Sequence, residues 1–321
     1  MKFTEAPVES AVSNRVAKSR DQPDLTPQRN RRLVEGSING VLFLCGLISV
    51  LTTVGIVVVL VTESAGFFRE VPIVEFLTGT RWSPMYSDQH FGILPLLNGT
   101  LMIAFGSSLI ALPIGLGSAI YLSEYASENV RKRVKPALEV LAGIPTVVYG
   151  YFALTFITPI IRTVFPGTGI FNAASGAIVV GIMIIPMVSS LSEDALSAVP
   201  RSLRAAAYGI GATKFEVVTR VVVPASLSGV AASFILAISR AIGETMAVTL
   251  AAGATPRMTL SFLESIQTMT AYIVQVSLGE TPHGTLEYRT IFAVGLVLFV
   301  ITLLMNLLSQ QITRRFREQY E

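Results

Sequence analysis

Six stretches of mainly apolar residues, each long enough to cross a membrane as a helix, follow one another along the chain. The hydrocarbon core of a bilayer is about 30 Å thick and takes about 20 apolar residues in helical form. The six stretches are Ser37–Val61, Leu94–Tyr121, Leu138–Ile161, Phe171–Leu191, Leu227–Ala254 and Thr290–Leu308. The pattern therefore predicts an all-α integral membrane protein with six transmembrane helices.

Two features bear on the number of spans. Pro145, Pro159 and Pro186 lie inside the third and fourth stretches, and membrane helices accept proline where neighbouring groups bond the freed carbonyls. The segment from Thr259 to Leu278 is only moderately apolar. We expect a short external or re-entrant helix there rather than a seventh span.

Lysine and arginine residues are concentrated on one side of these stretches. Eighteen of the 24 fall in the N-terminal tail, between the second and third stretches, between the fourth and fifth, or after the sixth. Four fall on the opposite side, at Arg69, Arg81, Arg257 and Arg289. Because cytoplasmic segments of membrane proteins carry the excess of positive residues, we expect both termini to be cytoplasmic.

The composition supports a membrane protein. Hydrophobic residues make up 51% of the 321 residues and charged residues only 14%, against about 25% charged in soluble domains. This balance excludes a soluble enzyme core, a coiled coil or disorder for the chain as a whole. Cys45 is the only cysteine and there are two histidines, so we expect neither an intramolecular disulfide nor a metal site.

The segment from Glu193 to Pro224, between the fourth and fifth stretches, has clear local signals. Pro200 suits the first turn of a helix, and Gly209 and Gly211 can end that helix because glycine adopts a positive φ at low cost. Thr213 and Glu216 have the spacing of a capping box that starts a second helix. The segment is predicted to form an amphipathic helix–turn–helix elbow at the membrane surface, with an ordinary surface linker as the alternative.

The spacing within this elbow resembles the EAA loop of binding-protein-dependent ABC transporter permeases. That loop reads Glu-Ala-Ala, three residues, Gly, nine residues, Ile-x-Leu-Pro. The matching positions here are Ala205, Ala206, Ala207, Gly211, Val221, Val223 and Pro224, so that Ala205 replaces the family glutamate. Three further segments resemble phosphate-transport permeases of the PstC type: Phe91–Ser127, LEVLAGIPTVVYGYFAL from Leu138 and SRAIGETMAVTLAAG from Ser239.

The resemblance implies a MetI-like ABC importer core, and together with the apolar and polar pattern it predicts five parts of the chain. Residues 36–62 form a first, peripheral transmembrane helix, and an extracytoplasmic loop follows at 63–93. Residues 94–312 form the permease core, with coupling helices at 200–224. We expect residues 1–35 and 313–321 to be cytoplasmic tails. The first is polar, mixed in charge and contains Pro7, Pro23 and Pro27, which predicts disorder.

The resemblance also implies the function of a membrane-spanning permease subunit in an ATP-driven phosphate importer of the inner membrane. Its partners would be a second, PstA-like permease, two ATPase subunits and an extracytoplasmic phosphate-binding protein. This sequence has no Gly-Lys-Ser or Gly-Lys-Thr of a phosphate-binding loop. ATP and Mg would therefore bind at the ATPase, while this chain would be no enzyme and bind no cofactor. The elbow, including Lys214 and Phe215, would dock on that ATPase and drive alternating access.

Arg240 and Glu244 form the only pair of charged residues deep within a predicted span. Charges in hydrocarbon cost at least about 2.5–3.5 kcal/mol each on insertion scales, and the i, i+4 spacing places both residues on one helix face. One interpretation is a structural ion pair between helices. The other is an oxyanion pathway, in which Arg240 donates to phosphate oxygens and Glu244 neutralises it. The resemblance favours the pathway, with Thr245 as a weaker third candidate beside a packing role.

Other functions stay open on the sequence alone. A permease for molybdate or sulfate would share the elbow and differ in substrate. A channel or secondary carrier would need no ATPase, but no inverted repeat is evident and the elbow counts against it. A membrane enzyme is the least supported alternative, because no nucleophile–base grouping or metal-ligand spacing falls within the spans.

Overall fold

The computed structural model describes the backbone of residues 29–315 and the side chains of residues 35–312. The predicted disordered tail and the last residues of the chain lie largely outside this range. Within it, the backbone is helical apart from loops and one isolated β-bridge between Trp82 and Phe91. Five helices in this range are long and apolar enough to cross a membrane, and there are six if the bent pair Lys214–Ala225 and Leu227–Ile242 is counted as one span. The predicted all-α class is confirmed.

The helices are α1 (Arg29–Phe68), α2 (Ile73–Thr78), α3 (Leu94–Ile120), α4 (Glu128–Ala142), α5 (Thr146–Phe152), α6 (Thr158–Val164), α7 (Ala173–Ser197), α8 (Arg201–Gly209), α9 (Lys214–Val217), α10 (Val223–Ala225), α11 (Leu227–Ile242), α12 (Met246–Ala252), α13 (Met269–Leu278) and α14 (Leu286–Arg315). Three π-helical turns extend or join them: Tyr121–Tyr125, Ala153–Ile157 and Val218–Val222.

The chain divides into two units, residues 1–58 and 59–321. The first unit contains most of α1, which begins earlier and ends later than the predicted span Ser37–Val61. Large apolar side chains along it, such as Phe43 and Leu51, are exposed. This helix therefore has the apolar surface expected of a membrane span.

The second unit is built around α3 and α7, which pack along each other. Their buried side chains, including Ile103 and Ile184, form a core with the small residues of α12. Helix α11 packs against α3, α7 and α14. These contacts make α3 and α7 the central pair of the bundle.

The predicted third span is wrong at its start. Residues 138–142 belong to α4, an amphipathic helix without buried residues that begins at Glu128. The chain leaves the helix at Gly143, and Pro145 precedes a new helix that runs from Thr146 to Val164 through α5 and α6. Proline lacks an N–H and disfavours a helical residue before it, so it starts this span instead of continuing α4.

The predicted fifth span is not one helix. Helix α11 ends at Ile242, and α12 begins only at Met246. The carboxylate of Glu244 accepts a hydrogen bond from the Ala247 N–H at 3.2 Å. The side chain thus replaces a backbone carbonyl at the start of α12, which favours a break. On the other side of α11, the helical segment Lys214–Ala225 meets it at a bend of 69°.

The segment that follows α12 is helical only in its second half. Residues 253–268 are irregular, and α13 covers Met269–Leu278. The start of α3 holds this segment: Asn98 Nδ2 donates to the Thr259 carbonyl at 2.6 Å, and Thr100 Oγ1 accepts from the Met269 N–H at 3.0 Å. A Cβ on Gly99 would lie 2.4 Å from the Gln267 carbonyl oxygen, so this close approach requires glycine.

An aromatic cluster occupies the end of the bundle opposite the elbow. Phe67, Phe76 and Phe91 pack edge to face, and Trp82 contacts both Phe76 and Tyr272 of α13 in the same way. Such pairs contribute about 0.5–1.5 kcal/mol each beyond the area they bury. The loop predicted at 63–93 is thus a packed part of the second unit.

Candidate functional site

The elbow forms as its local sequence predicts. Helix α8 begins after Pro200, and Gly211 has a φ of +87°, a conformation that strongly favours glycine. Thr213 Oγ1 accepts from the Glu216 N–H, and the Glu216 carboxylate accepts from the Thr213 N–H at 2.9 Å. The predicted turn and capping box are both confirmed. Pro224 follows in α10, just before the 69° bend.

The elbow has an exposed apolar face. The exposed fraction is 88% for Ile210, 68% for Phe215 and 45% for Tyr208. Six of the seven residues predicted to couple to an ATPase are exposed, namely Ala205, Ala206, Gly211, Lys214, Phe215 and Pro224, whereas Ala207 is buried. Contiguous exposed apolar surface is typical of protein interaction sites, so this face is suited to docking another chain.

A small apolar core supports the elbow from beneath. Ala207, Val217 and Val222 of the elbow are buried against Ala119 of α3 and Leu196 of α7. Ala207 is thus a packing residue rather than a docking residue. The core places the elbow directly against the ends of the two central helices.

Arg204 and Glu124 form an ion pair that the sequence analysis missed. Arg204 Nη2 lies 2.9 Å from Glu124 Oε1, and the side chains are 17% and 8% exposed. Glu124 lies in the π-helical turn that extends α3. The pair joins positions 80 residues apart, so no local pattern marks it.

Lys214 also contacts the end of α3. Its ammonium lies 4.7 Å from the ring centroid of Tyr125, within range of a cation–π interaction. Among the residues predicted for coupling, Lys214 therefore has a structural partner within the chain as well as an exposed surface.

Glu193 in α7 is a second buried acid that the sequence analysis did not select. Its side chain is 1% exposed and accepts from Arg131 and, at 2.9 Å, from Lys135 Nζ. The hydrogen bond to Glu193 raises the pKa of the Lys135 ammonium, so Lys135 stays charged at neutral pH. The cluster attaches α4 to α7 next to the elbow.

We expect Glu193→Gln to destabilise the protein, because it leaves two cations without their shared carboxylate. Hydrogen bonds to charged groups contribute about 1.5–3 kcal/mol each, and partial exposure of Arg131 and Lys135 favours the lower end of that range. Thermal unfolding of the detergent-solubilised protein measures the effect. The matched control is Asp194→Asn, since Asp194 is 64% exposed and 3.7 Å from Lys135. Equal melting temperatures for both variants would contradict the prediction.

The predicted ion pair between Arg240 and Glu244 is wrong. Glu244 lies outside α11, in the break, and its carboxylate binds the Ala247 N–H instead. Arg240 is exposed near the end of α11, and within the described part of the chain no carboxylate pairs with it. The i, i+4 argument fails because the helix ends between the two residues.

The break itself is held by its surroundings. Glu244 is 8% exposed, and its carbonyl accepts from Thr270 Oγ1 of α13 at 2.7 Å. Thr245 is half-buried, and its hydroxyl donates to the Gly243 carbonyl at 3.2 Å. Arg240 is therefore the accessible charged group at this site, while Glu244 positions the start of α12. Within residues 35–312 no group of three His, Cys, Asp or Glu side chains is arranged to hold a metal ion.

Comparison with known proteins agrees with this architecture. The family described as binding-protein-dependent transport system inner membrane component matches residues 111–318. The chain is 34% identical over 308 residues to the probable ABC transporter permease protein YqgH of Bacillus subtilis, covering 95% of this chain and 96% of that protein. It is also 34% identical over 259 residues to the phosphate transport system permease protein PstC of Mesorhizobium japonicum, covering 75% and 78%.

A solved structure shares the fold. A chain of the bacterial alginate ABC transporter, in complex with its alginate pentasaccharide-bound periplasmic protein, superposes with a TM-score of 0.59 at 15% identity. The match covers 88% of this chain and 97% of that chain. The present chain belongs to the family of binding-protein-dependent transport system inner membrane components. It is a multi-pass membrane protein with the MetI-like fold of ABC importer permeases.

Proposed function

We propose that this chain is the PstC-type permease subunit of an ATP-driven phosphate importer. The 34% identity to PstC of Mesorhizobium japonicum over 259 residues carries the assignment of the substrate. The elbow, with its positive-φ glycine and exposed apolar face, supports coupling to a separate ATPase. Phosphate delivered from outside would cross the membrane by alternating access, in which the permease opens in turn to the outside and to the cytoplasm.

The proposed assembly contains four kinds of protein. This chain pairs with a PstA-like permease, two ATPase subunits bind ATP and Mg, and an extracytoplasmic phosphate-binding protein delivers the substrate. Residues 36–62 lie at the periphery, and this chain binds no cofactor. The distribution of lysine and arginine supports a cytoplasmic position for the elbow and both termini.

The elbow residues divide into two roles in this proposal. Ala205, Ala206, Gly211, Phe215 and Pro224 form or shape the surface that docks on the ATPase, and Lys214 borders it. Ala207 anchors the elbow from beneath. Ala205 replaces the acidic residue of the family pattern, so docking here depends more on the apolar side chains, such as Ile210 and Phe215, than on an ion pair.

Arg240 is proposed to line the phosphate route. An arginine in a membrane span costs at least about 2.5–3.5 kcal/mol unless it meets water, an anion or a polar group. Arg240 is exposed and has no carboxylate partner among residues 35–312, which leaves its guanidinium accessible to an anion. Its planar donors suit the oxygens of phosphate. Glu244 and Thr245 contribute by shaping the break beside it.

Uptake of labelled phosphate at low concentration tests the proposal in cells that lack this chain, with and without its restoration. We expect restoration to recover uptake that phosphate competes and that sulfate and molybdate do not. If restoration instead recovers transport of sulfate or molybdate, the substrate assignment is wrong. ATP-independent uptake in vesicles would overturn the importer mechanism and favour a carrier.

A further inference from the structure

Arg204 contacts three elements through a single guanidinium group. Its Nη2 lies 2.9 Å from Glu124 Oε1 and 2.8 Å from the Leu196 carbonyl oxygen, and its Nη1 donates to the Val199 carbonyl. Glu124 belongs to the π-helical turn at the end of α3, Leu196 belongs to the end of α7, and Val199 lies in the turn that follows α7. Arg204 itself is in the first half of the elbow. One side chain therefore attaches the elbow to both central helices.

The ion pair is poorly hydrated, which limits how the elbow can move. Arg204 is 17% exposed and Glu124 8% exposed. Separating the pair would leave the buried carboxylate of Glu124 without an opposite charge, and this is strongly unfavourable. The nearby contact of Lys214 with Tyr125 connects the second half of the elbow to the same end of α3. The elbow therefore moves more easily together with the end of α3 than away from it.

Helix α3 continues from this end to the other side of the bundle. Its 27 residues span about 40 Å at 1.5 Å per residue. At its start, Thr100 Oγ1 accepts from the Met269 N–H, and the next residue, Thr270, donates to the Glu244 carbonyl at 2.7 Å. A continuous series of contacts thus leads from Arg204 through α3 to the break that separates Arg240 from α12.

We propose that Arg204 and Glu124 form a coupling joint, through which α3 transmits displacement of the elbow to the break between α11 and α12. This proposal rests on the proposed importer function. Arg204 and Glu124 act as positioning residues, since neither lies on the docking face nor on the phosphate route. The test of this joint separates coupling from assembly.

The complete importer, purified and reconstituted in liposomes, permits phosphate uptake and ATP hydrolysis to be measured on one sample. Glu124→Gln removes the charge of the joint but keeps its shape, and it leaves the bonds of Arg204 to the two carbonyls. We expect phosphate uptake per ATP hydrolysed to fall about tenfold. Co-purification of the subunits and ATP hydrolysis should remain near the wild-type level. A merely structural role predicts that uptake and hydrolysis fall together.

Three further variants make the test specific. The double variant Arg204→Gln/Glu124→Gln should lower the ratio of uptake to hydrolysis no further than Arg204→Gln alone, because Arg204→Gln already breaks the interaction with Glu124. The matched control is Glu128→Gln, which breaks an exposed pair with Lys132 at 3.6 Å and should leave the ratio unchanged.

The possible outcomes are distinct. An unchanged ratio in Glu124→Gln overturns the coupling joint, as does a loss of uptake that merely follows loss of assembly or hydrolysis. If the wild-type complex itself takes up no phosphate, the proposed function fails instead. A lower ratio of uptake to hydrolysis in Glu124→Gln, together with the wild-type ratio in Glu128→Gln, supports the joint.

Discussion

Gly211→Pro should abolish phosphate uptake while leaving the chain in the membrane. Gly211 has a φ of +87° and its N–H donates to the Tyr208 carbonyl at 3.0 Å. Proline holds φ near −65° and has no N–H, so the turn must rebuild at a cost of about 3 kcal/mol or more. That cost lowers the population of the native elbow roughly 100-fold. The displaced side chains include Ile210 and Phe215, which form the exposed apolar face.

Labelled-phosphate uptake and the amount of chain in the membrane fraction measure this result. Gly211→Asn is the matched control, since asparagine enters the left-handed region more readily than other residues with side chains. We expect it to retain most of the uptake. Normal uptake by Gly211→Pro at normal membrane levels would remove the elbow from the coupling mechanism.

Arg240→Gln should reduce phosphate uptake by about 10- to 100-fold. Hydrogen bonds that involve a charged group contribute about 1.5–3 kcal/mol. Arg240 is exposed, and no carboxylate in the described part of the chain pairs with it. Its loss should therefore act mainly on the binding of phosphate. Arg240→Lys keeps the charge but loses the planar arrangement of donors, so an intermediate loss is expected.

The Arg240 variants are best compared in the reconstituted complex at several phosphate concentrations. The control is Arg257→Gln, because Arg257 is 62% exposed and pairs with Glu264 at 3.7 Å in the segment after α12. Its uptake should match the wild type. If Arg240→Gln also matches the wild type, Arg240 does not take part in phosphate transfer.

The elbow could be predicted in detail because its signals are local. A positive-φ glycine and a capping box each depend on residues within one turn of the chain. Gly211, Thr213 and Glu216 therefore adopt the predicted geometry without help from distant contacts. The spans around α3, α7 and α14 were predictable for a similar reason, since their apolar stretches are long and uninterrupted by a capping side chain.

The candidate transport site was less predictable. Hydropathy treats residues 227–254 as one apolar stretch, and it contains no signal for the break at Gly243–Thr245. The break depends on Glu244 capping α12 and on Thr270 bonding the Glu244 carbonyl. Thr270 lies 26 residues away, on α13. The predicted pairing with Arg240 was wrong for this reason.

The sequence by itself determined the membrane class, the approximate spans and the elbow. Each of the three follows from bilayer thickness or from the conformational preferences of neighbouring residues, and none requires knowledge of packing. Only the tertiary structure decided that the fifth span is broken and which acids are paired. Glu193 and Glu124 find their partners 58 and 80 residues away. Burial then makes those partners obligatory, because a charge removed from water needs a compensating charge nearby.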